Sequence, residues 1–202
     1  MNMRKVLILD DRVERKKAHM SEDAIRVLFD CVKQGFLTII NGEELENDSL
    51  LNFLANYDLI AIHRSWLVSQ KMIQEVVEYV KKEHKHLILF SGGISQSLLM
   101  NNYTYASVNS AVFYTNRLPF FVEKFATKEI DQPLLEFLYG GAWLIPIYMK
   151  YRQLIWRGVD ESDDEFMLFE SNYGSCISFF RDKDLLELNK AINSEITKMH
   201  AL

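Results

Sequence analysis

Two rhythms alternate along this chain. Short runs in which nearly every residue is apolar, at 6–9 (VLIL), 36–40 (FLTII), 59–62 (LIAI) and 87–90 (LILF), are separated by stretches in which apolar residues recur every three or four positions. A continuous apolar run of four or five residues suits a strand covered on both faces, the condition of a parallel sheet. The intervening rhythm is helical. Residues 13–34 carry Ala24, Ile25, Leu28 and Val32 on one stripe, with a break near His19, Ser21-Glu22-Asp23 as a capping start and Gly35 as a stop. Asn41-Gly42 turns the chain into a second helix at 44–56, whose apolar face is Leu50, Leu51, Phe53 and Leu54. A third helix at 70–84 buries Met72, Ile73, Val76, Val77 and Val80 and gathers Lys81, Lys82 and Lys85 at its C-terminal end, where the helix dipole favours cations. Residues 111–114 (AVFY) supply a fifth strand.

Strand and helix repeated with short connections predict an α/β fold: a parallel, five-stranded sheet with helices on both faces. Ile8 and Leu89 are expected to be buried on adjacent central strands. Beyond residue 128 the rhythm changes. Residues 133–139 read as a helix stopped by Gly140-Gly141, and 142–157 are aromatic and apolar around Pro146, so their form stays open. The acidic run DESDDE at 160–165 is a solvated turn. Residues 166–169 and 176–180 flank ESNYGS as the arms of a hairpin, and 184–199 close the chain as an amphipathic helix. The expected organisation is a sheet domain over 1–126 and a C-terminal α+β extension over 127–202.

Composition narrows the class. Hydrophobic residues make up 49% and charged residues 25% of the 202, which excludes a disordered chain. A net charge of −5, with no basic helix, argues against a nucleic-acid-binding surface. The longest apolar stretch, 142–149, is too short to span a bilayer, and the N-terminal apolar run is too short for a signal peptide. Cys31 and Cys176 form no paired motif and read as reduced, buried thiols of a cytoplasmic protein.

In a parallel sheet of this kind the chemistry lies beyond the carboxyl ends of the strands. Those ends carry Asp10, Asp11, His63, Arg64, Ser65, Ser91, Gly92, Gly93, Thr115 and Asn116. Asp10 and Asp11 are candidate cation ligands; alternatively Asp10 caps the next helix or pairs with Arg12, Arg64 or Arg117. His63 can be a metal ligand, a phosphorylated residue or a switch, or a structural histidine bonded to Asp10 or Asp11. Ser91-Gly92-Gly93 can cradle an anion at a helix N-terminus, or be a tight turn that needs glycine. Trp143, Tyr148, Tyr151 and Trp156 form either a partner surface or the packing between the extension and the sheet. Cys31 falls on a helix stripe and belongs to the core.

The first 126 residues or so resemble the receiver domain of two-component response regulators. The resemblance rests on VLILDDR at 6–12, NGEEL at 41–45, YDLIAIH at 57–63 and LILFSGG at 87–93, in that order. It implies a flavodoxin-like fold. It also assigns roles: in receivers an acid pair after the first strand binds magnesium, the place of Asp10 and Asp11, and a Ser or Thr ending the fourth strand senses the phosphoryl group, the place of Ser91. The phosphoacceptor aspartate ends the third strand, where this chain has His63, and the lysine after the fifth strand has no match in Thr115-Asn116-Arg117-Leu118-Pro119. A histidine cannot make an acyl phosphate and brings no negative charge to a magnesium site. The expected role is therefore that of a pseudo-receiver, not an enzyme: a signalling regulator without a cofactor that acts through a protein partner or self-association. The resemblance adds a contact surface at 98–124 that includes Phe121. The alternative is a metal-dependent phosphoryl-transfer or hydrolytic enzyme using Asp10, Asp11, His63 and Ser91. No GxSxG elbow accompanies a serine hydrolase reading.

Overall fold

The computed structural model describes residues 3–11, 19–41, 47–67, 69–95, 97–100, 104–129, 133–139, 144–182 and 190. The expected closing helix at 184–199 lies outside these apart from Lys190, as do Trp143 and Arg12. Six strands form one sheet: β1 (Val6–Asp10), β2 (Leu37–Asn41), β3 (Leu59–His63), β4 (His86–Ser91), β5 (Leu98–Met100) and β6 (Tyr105–Asn109), in the order β2-β1-β3-β4-β6-β5. The first five in this order pair in parallel, and β5 runs antiparallel along β6 at the edge. The sheet is thus mixed and six-stranded, not parallel and five-stranded. Ile8 and Leu89 are both buried, but β3 stands between their strands: Ile8 pairs with Ala61, and Leu89 with Ile62.

Local sequence accounts for each helix. In α1 (Glu22–Lys33) the Ser21 hydroxyl accepts from the Ala24 N–H at 3.2 Å, acids occupy the first turn and Lys33 the last. Gly35 follows at φ 81°, a left-handed conformation that glycine adopts without a Cβ clash. After β2 comes α2 (Asn47–Leu54), and after β3 a short 3-10 turn leads to α3 (Gln70–Lys82), capped by Ser69. Lys85 does not serve the end of α3. Its ammonium donates to the Ala55 and Tyr57 carbonyls at 2.9 and 2.7 Å, satisfying the chain that leaves α2.

The pleat divides the strands between two cores. Leu7, Leu9, Ile60, Ile62, Leu87 and Leu89 meet Leu50 and Leu54 of α2 and Met72, Val76 and Val80 of α3. Val6, Ile8, Leu59, Ala61, Ile88 and Phe90 meet Ala24, Leu28 and Cys31 of α1 on the opposite face. Helices on both faces follow from strands whose every residue is buried, as in β1 and β3.

The expected fifth strand at 111–114 is a correction. The parallel strand is β6, whose burial alternates along YASVN, and Asn109 then turns the chain by accepting from the Ala111 N–H at 2.8 Å. Residues Ser110–Phe113 form the short helix α4, which leads to α5 (Leu118–Ala126). The apolar run AVFY belongs to the core through this turn: Phe113 stacks on Phe90 at 4.0 Å between ring centres. A four-residue apolar run fits strand and buried helix equally, and period alone cannot separate them.

The expected hairpin is also a correction. Residues Asp164–Asp182 form two helical segments, together α8, joined across a kink at Tyr173 (φ −137°, ψ 22°). Phe166, Phe169 and Ile177 are buried at helical spacing, with Tyr173 half-buried between them. Before it come α6 (Pro133–Tyr139) and α7 (Leu144–Trp156), and Pro146 sits in the first turn of α7, where its missing N–H costs no intrahelical bond. Among the described residues the extension is helical, not α+β. Leu134, Leu135, Phe137, Ile147, Leu154, Phe166, Phe169 and Ile177 share a single core with Val6, Ile8 and Phe90 of the sheet.

Candidate functional site

Two neighbouring parallel strands end side by side. The register that pairs Leu9 with Ile62 brings Asp10 level with His63, and the pleat that turns Ile8 and Ala61 toward the α1 face turns these two the same way. Asp11 follows at the rim. One oxygen or nitrogen atom from each of Asp10, Asp11 and His63 lies within 4.8 Å of the others. The three sequence candidates therefore converge.

Their surroundings differ. Asp10 is fully buried, and the Tyr114 hydroxyl, itself buried, donates to its carboxylate. A carboxylate out of water needs such a donor. Tyr114 is a site residue that the sequence reading lacks, because AVFY reads as a strand; its signal is a tyrosine inside an apolar segment near the sheet's carboxyl edge. Asp11 is a third exposed at its side chain and lies 3.2 Å from His63 Nδ1. The same ring nitrogen accepts from the Ser65 N–H at 3.3 Å and lies 2.6 Å from the Ser65 hydroxyl. The ring stands edge-on to Phe90 at 5.3 Å. Nδ1 thus faces the N–H and the hydroxyl of Ser65 and one acceptor on Asp11. The contact with Asp11 is attractive when a proton or a cation lies between the two lone pairs.

Ser91 does not join the cluster. Phe90 faces His63, so the next residue in the strand faces the α3 side of the sheet, as Leu87 and Leu89 do. Its hydroxyl accepts from the Gly93 N–H at 3.4 Å. The Ser-Gly-Gly turn leads to β5 and not to a helix, so the cradle at a helix N-terminus is absent. Neither Gly92 nor Gly93 has a left-handed φ, and a Cβ on Gly92 would meet nothing within 4 Å, so glycine is not sterically required. Asn109 fixes the turn instead, donating to the Gly92 and Ile94 carbonyls at 3.2 and 2.8 Å. Asn116 is elsewhere, accepting from the Ser21 N–H at 2.7 Å, and Arg117 donates to the Glu136 carbonyl at 3.3 Å.

The aromatic candidates separate by burial. Phe121 is 7% exposed and packs on Phe137 at 5.1 Å, so it lies in the core and not on a contact surface. Tyr148 and Tyr151 are half-buried against the same core, and Tyr151 stacks on Phe169. Trp156 is 88% exposed at the end of α7, and Met149, two turns earlier on the same face, is 62% exposed.

No protein-family model, curated protein or solved structure matches the chain. No helix among the described residues is long and apolar enough to cross a membrane.

Proposed function

We propose that the protein is a receiver-like regulator that acts through protein–protein contact and carries no phosphoryl group. The observation behind this reading is His63. It occupies the end of β3 beside the acid pair, the place where receivers carry the acceptor carboxylate. The strand order supports the resemblance: leaving aside the edge strand β5, the parallel strands run β2-β1-β3-β4-β6, the 2-1-3-4-5 order of flavodoxin-like sheets. Other departures weigh against phosphoryl chemistry. The residues after β6 are Ser110 and Ala111, with no lysine, and Ser91 faces away from the acid pair. Phosphoryl transfer depends on a nucleophile, a metal and cationic stabilisation of the moving oxygens; His63 takes the place of the carboxylate nucleophile, and the missing lysine removes the cation. A buried, unpaired Cys31 accords with a cytoplasmic setting. Incubation with acetyl phosphate and magnesium, followed by intact mass, tests the reading. The expected result is an unmodified chain; one added phosphoryl group at Asp10, Asp11 or His63 would overturn it.

A second reading is favoured by the proximity of the Asp10, Asp11 and His63 donors: a divalent-metal site, and through it a hydrolytic or phosphoryl-transfer enzyme. An imidazole beside two carboxylates suits zinc, iron or manganese better than magnesium, which prefers oxygen and water. Calorimetric titration with zinc and manganese, repeated on His63→Ala, separates the readings. Binding lost in the variant supports the metal site, and heat identical in both proteins excludes it.

A further inference from the structure

The sheet has a second opening, on the face away from Asp10 and His63. A cavity of about 130 Å³ lies there, lined by Arg64, Gln70, Ile73, Leu89, Ile94, Tyr105 and Ser107. We infer that this cavity binds a short-chain carboxylate, with Arg64 as its counter-charge. The inference is independent of what the Asp10 side of the sheet does.

The lining has two halves. Leu89 of β4, Ile73 of α3 and Ile94 of the turn after β4 form an apolar wall. Arg64, Gln70, Tyr105 and Ser107 form a polar one, with one full positive charge and no acidic residue among the seven. Tyr105 and Ser107 are alternate residues of β6, so the pleat presents both on one face. Burial pushes the Tyr105 phenol up, while Ser107 and the nearby Arg64 charge pull it down, so the phenol stays protonated at neutral pH and can donate.

The cavity's shape is held from outside the lining. Asn109 grips the Gly92 and Ile94 carbonyls and so keeps Ile94 in place as one wall. Ser69 caps α3 through the Met72 N–H at 3.1 Å and fixes the first turn, from which Gln70 reaches the cavity.

The ligand class follows from the lining. A single guanidinium offers a planar fork that matches one carboxylate. The apolar wall suits a short hydrocarbon body, which inorganic phosphate lacks. Cavities of about 150 Å³ accept molecules the size of benzene, so the volume suits a carboxylate of that order.

The test uses the full chain, labelled with ¹⁵N, and three probes: isobutyrate, its neutral isostere isobutyramide, and inorganic phosphate. Isobutyrate is expected to shift the amides of Gln70, Ile73, Leu89 and Ser107 saturably. Arg64→Gln should weaken it by roughly tenfold or more, the loss of a charge-assisted hydrogen bond. Arg64 is exposed, so the variant should fold as the parent does. Arg64→Lys, which keeps the charge but not the fork, should fall between the two. Lys33→Gln, an equal charge change on α1, should bind as the parent does. The inference is overturned if isobutyrate gives no saturable shift, if isobutyramide binds equally well, if phosphate binds more tightly, or if Arg64→Gln leaves the affinity unchanged.

Discussion

Tyr114 and Asp10 form a buried polar contact at the carboxyl edge of the sheet. The phenol donates to a carboxylate with no exposed surface, and the stacked pair Phe90 and Phe113 packs edge-on against the ring with centroids at 5.5 and 4.9 Å. Removing one partner of a buried polar pair costs about 1–3 kcal/mol. Tyr114→Phe keeps the ring and deletes only the donor, so urea unfolding at pH 7 should show a loss in that range. A change near zero would mean that the pair contributes nothing to stability. Cys31 gives a second residue-scale expectation. Burial, and to a lesser degree Glu123, push its thiol from 9.0 up to about 11. The folded state therefore holds this proton more tightly than the unfolded chain. The associated stability is full below about pH 9 and is lost as pH rises toward 11. Native protein at pH 8 should resist iodoacetamide at Cys31 and react once urea exposes it. Rapid labelling without denaturant would show that α1 opens.

Among the elements, α7 carries both halves of the aromatic question. Tyr148 and Tyr151 point into the core, while Trp156 and Met149 stand in solvent. Exposed aromatic and Met side chains on one helix face make good anchors for a partner, since they bury large area at small entropy cost. Sedimentation at micromolar concentration should reveal association that Trp156→Ala abolishes without lowering the melting temperature. A parent protein that stays monomeric and captures no partner would remove Trp156 from the interaction reading. The elements also show what was legible from the chain alone. β1, β3 and β4 were readable because their apolar runs have no polar break, and α1 and α3 because Ser21, Ser69 and the apolar stripes agree. β6 was not, since YASVN mixes small, polar and aromatic residues and its strand pairing is set by β4 and β5. In α8 the ESNYGS stretch marks a real break, the kink at Tyr173, but both arms are helical and not strands, as Phe166, Phe169 and Ile177 at helical spacing show. At the site, the meeting of Asp10 with His63 followed from strand order. The turning away of Ser91 depends on the parity of its position after Phe90, which the expected strand end did not use.

At the scale of the whole molecule, the α1 face of the sheet is closed by helices that come late in the chain. α6, α7 and α8 supply Leu134, Leu135, Phe137, Leu154 and Phe166 to the core that contains Ile8 and Phe90. A fragment ending at residue 126 would leave that apolar surface in water. It should bind a hydrophobic dye such as ANS and lack a cooperative thermal transition, whereas the full chain should show one. A fragment that melts sharply would establish that residues 1–126 fold alone.

The same late closure has a consequence in time. Phe166 and Ile177 leave the ribosome long after β1, and synthesis proceeds at about 5–20 residues per second, so α8 trails Ala126 by roughly 3–11 s. During that interval only α1, α4 and α5 cover that side of the nascent sheet. The growing chain therefore keeps part of that apolar face in water until its last helices emerge. Stalled nascent chains of increasing length should show protease resistance in the sheet only once α8 is outside the exit tunnel; resistance at shorter lengths would mean the sheet closes without it.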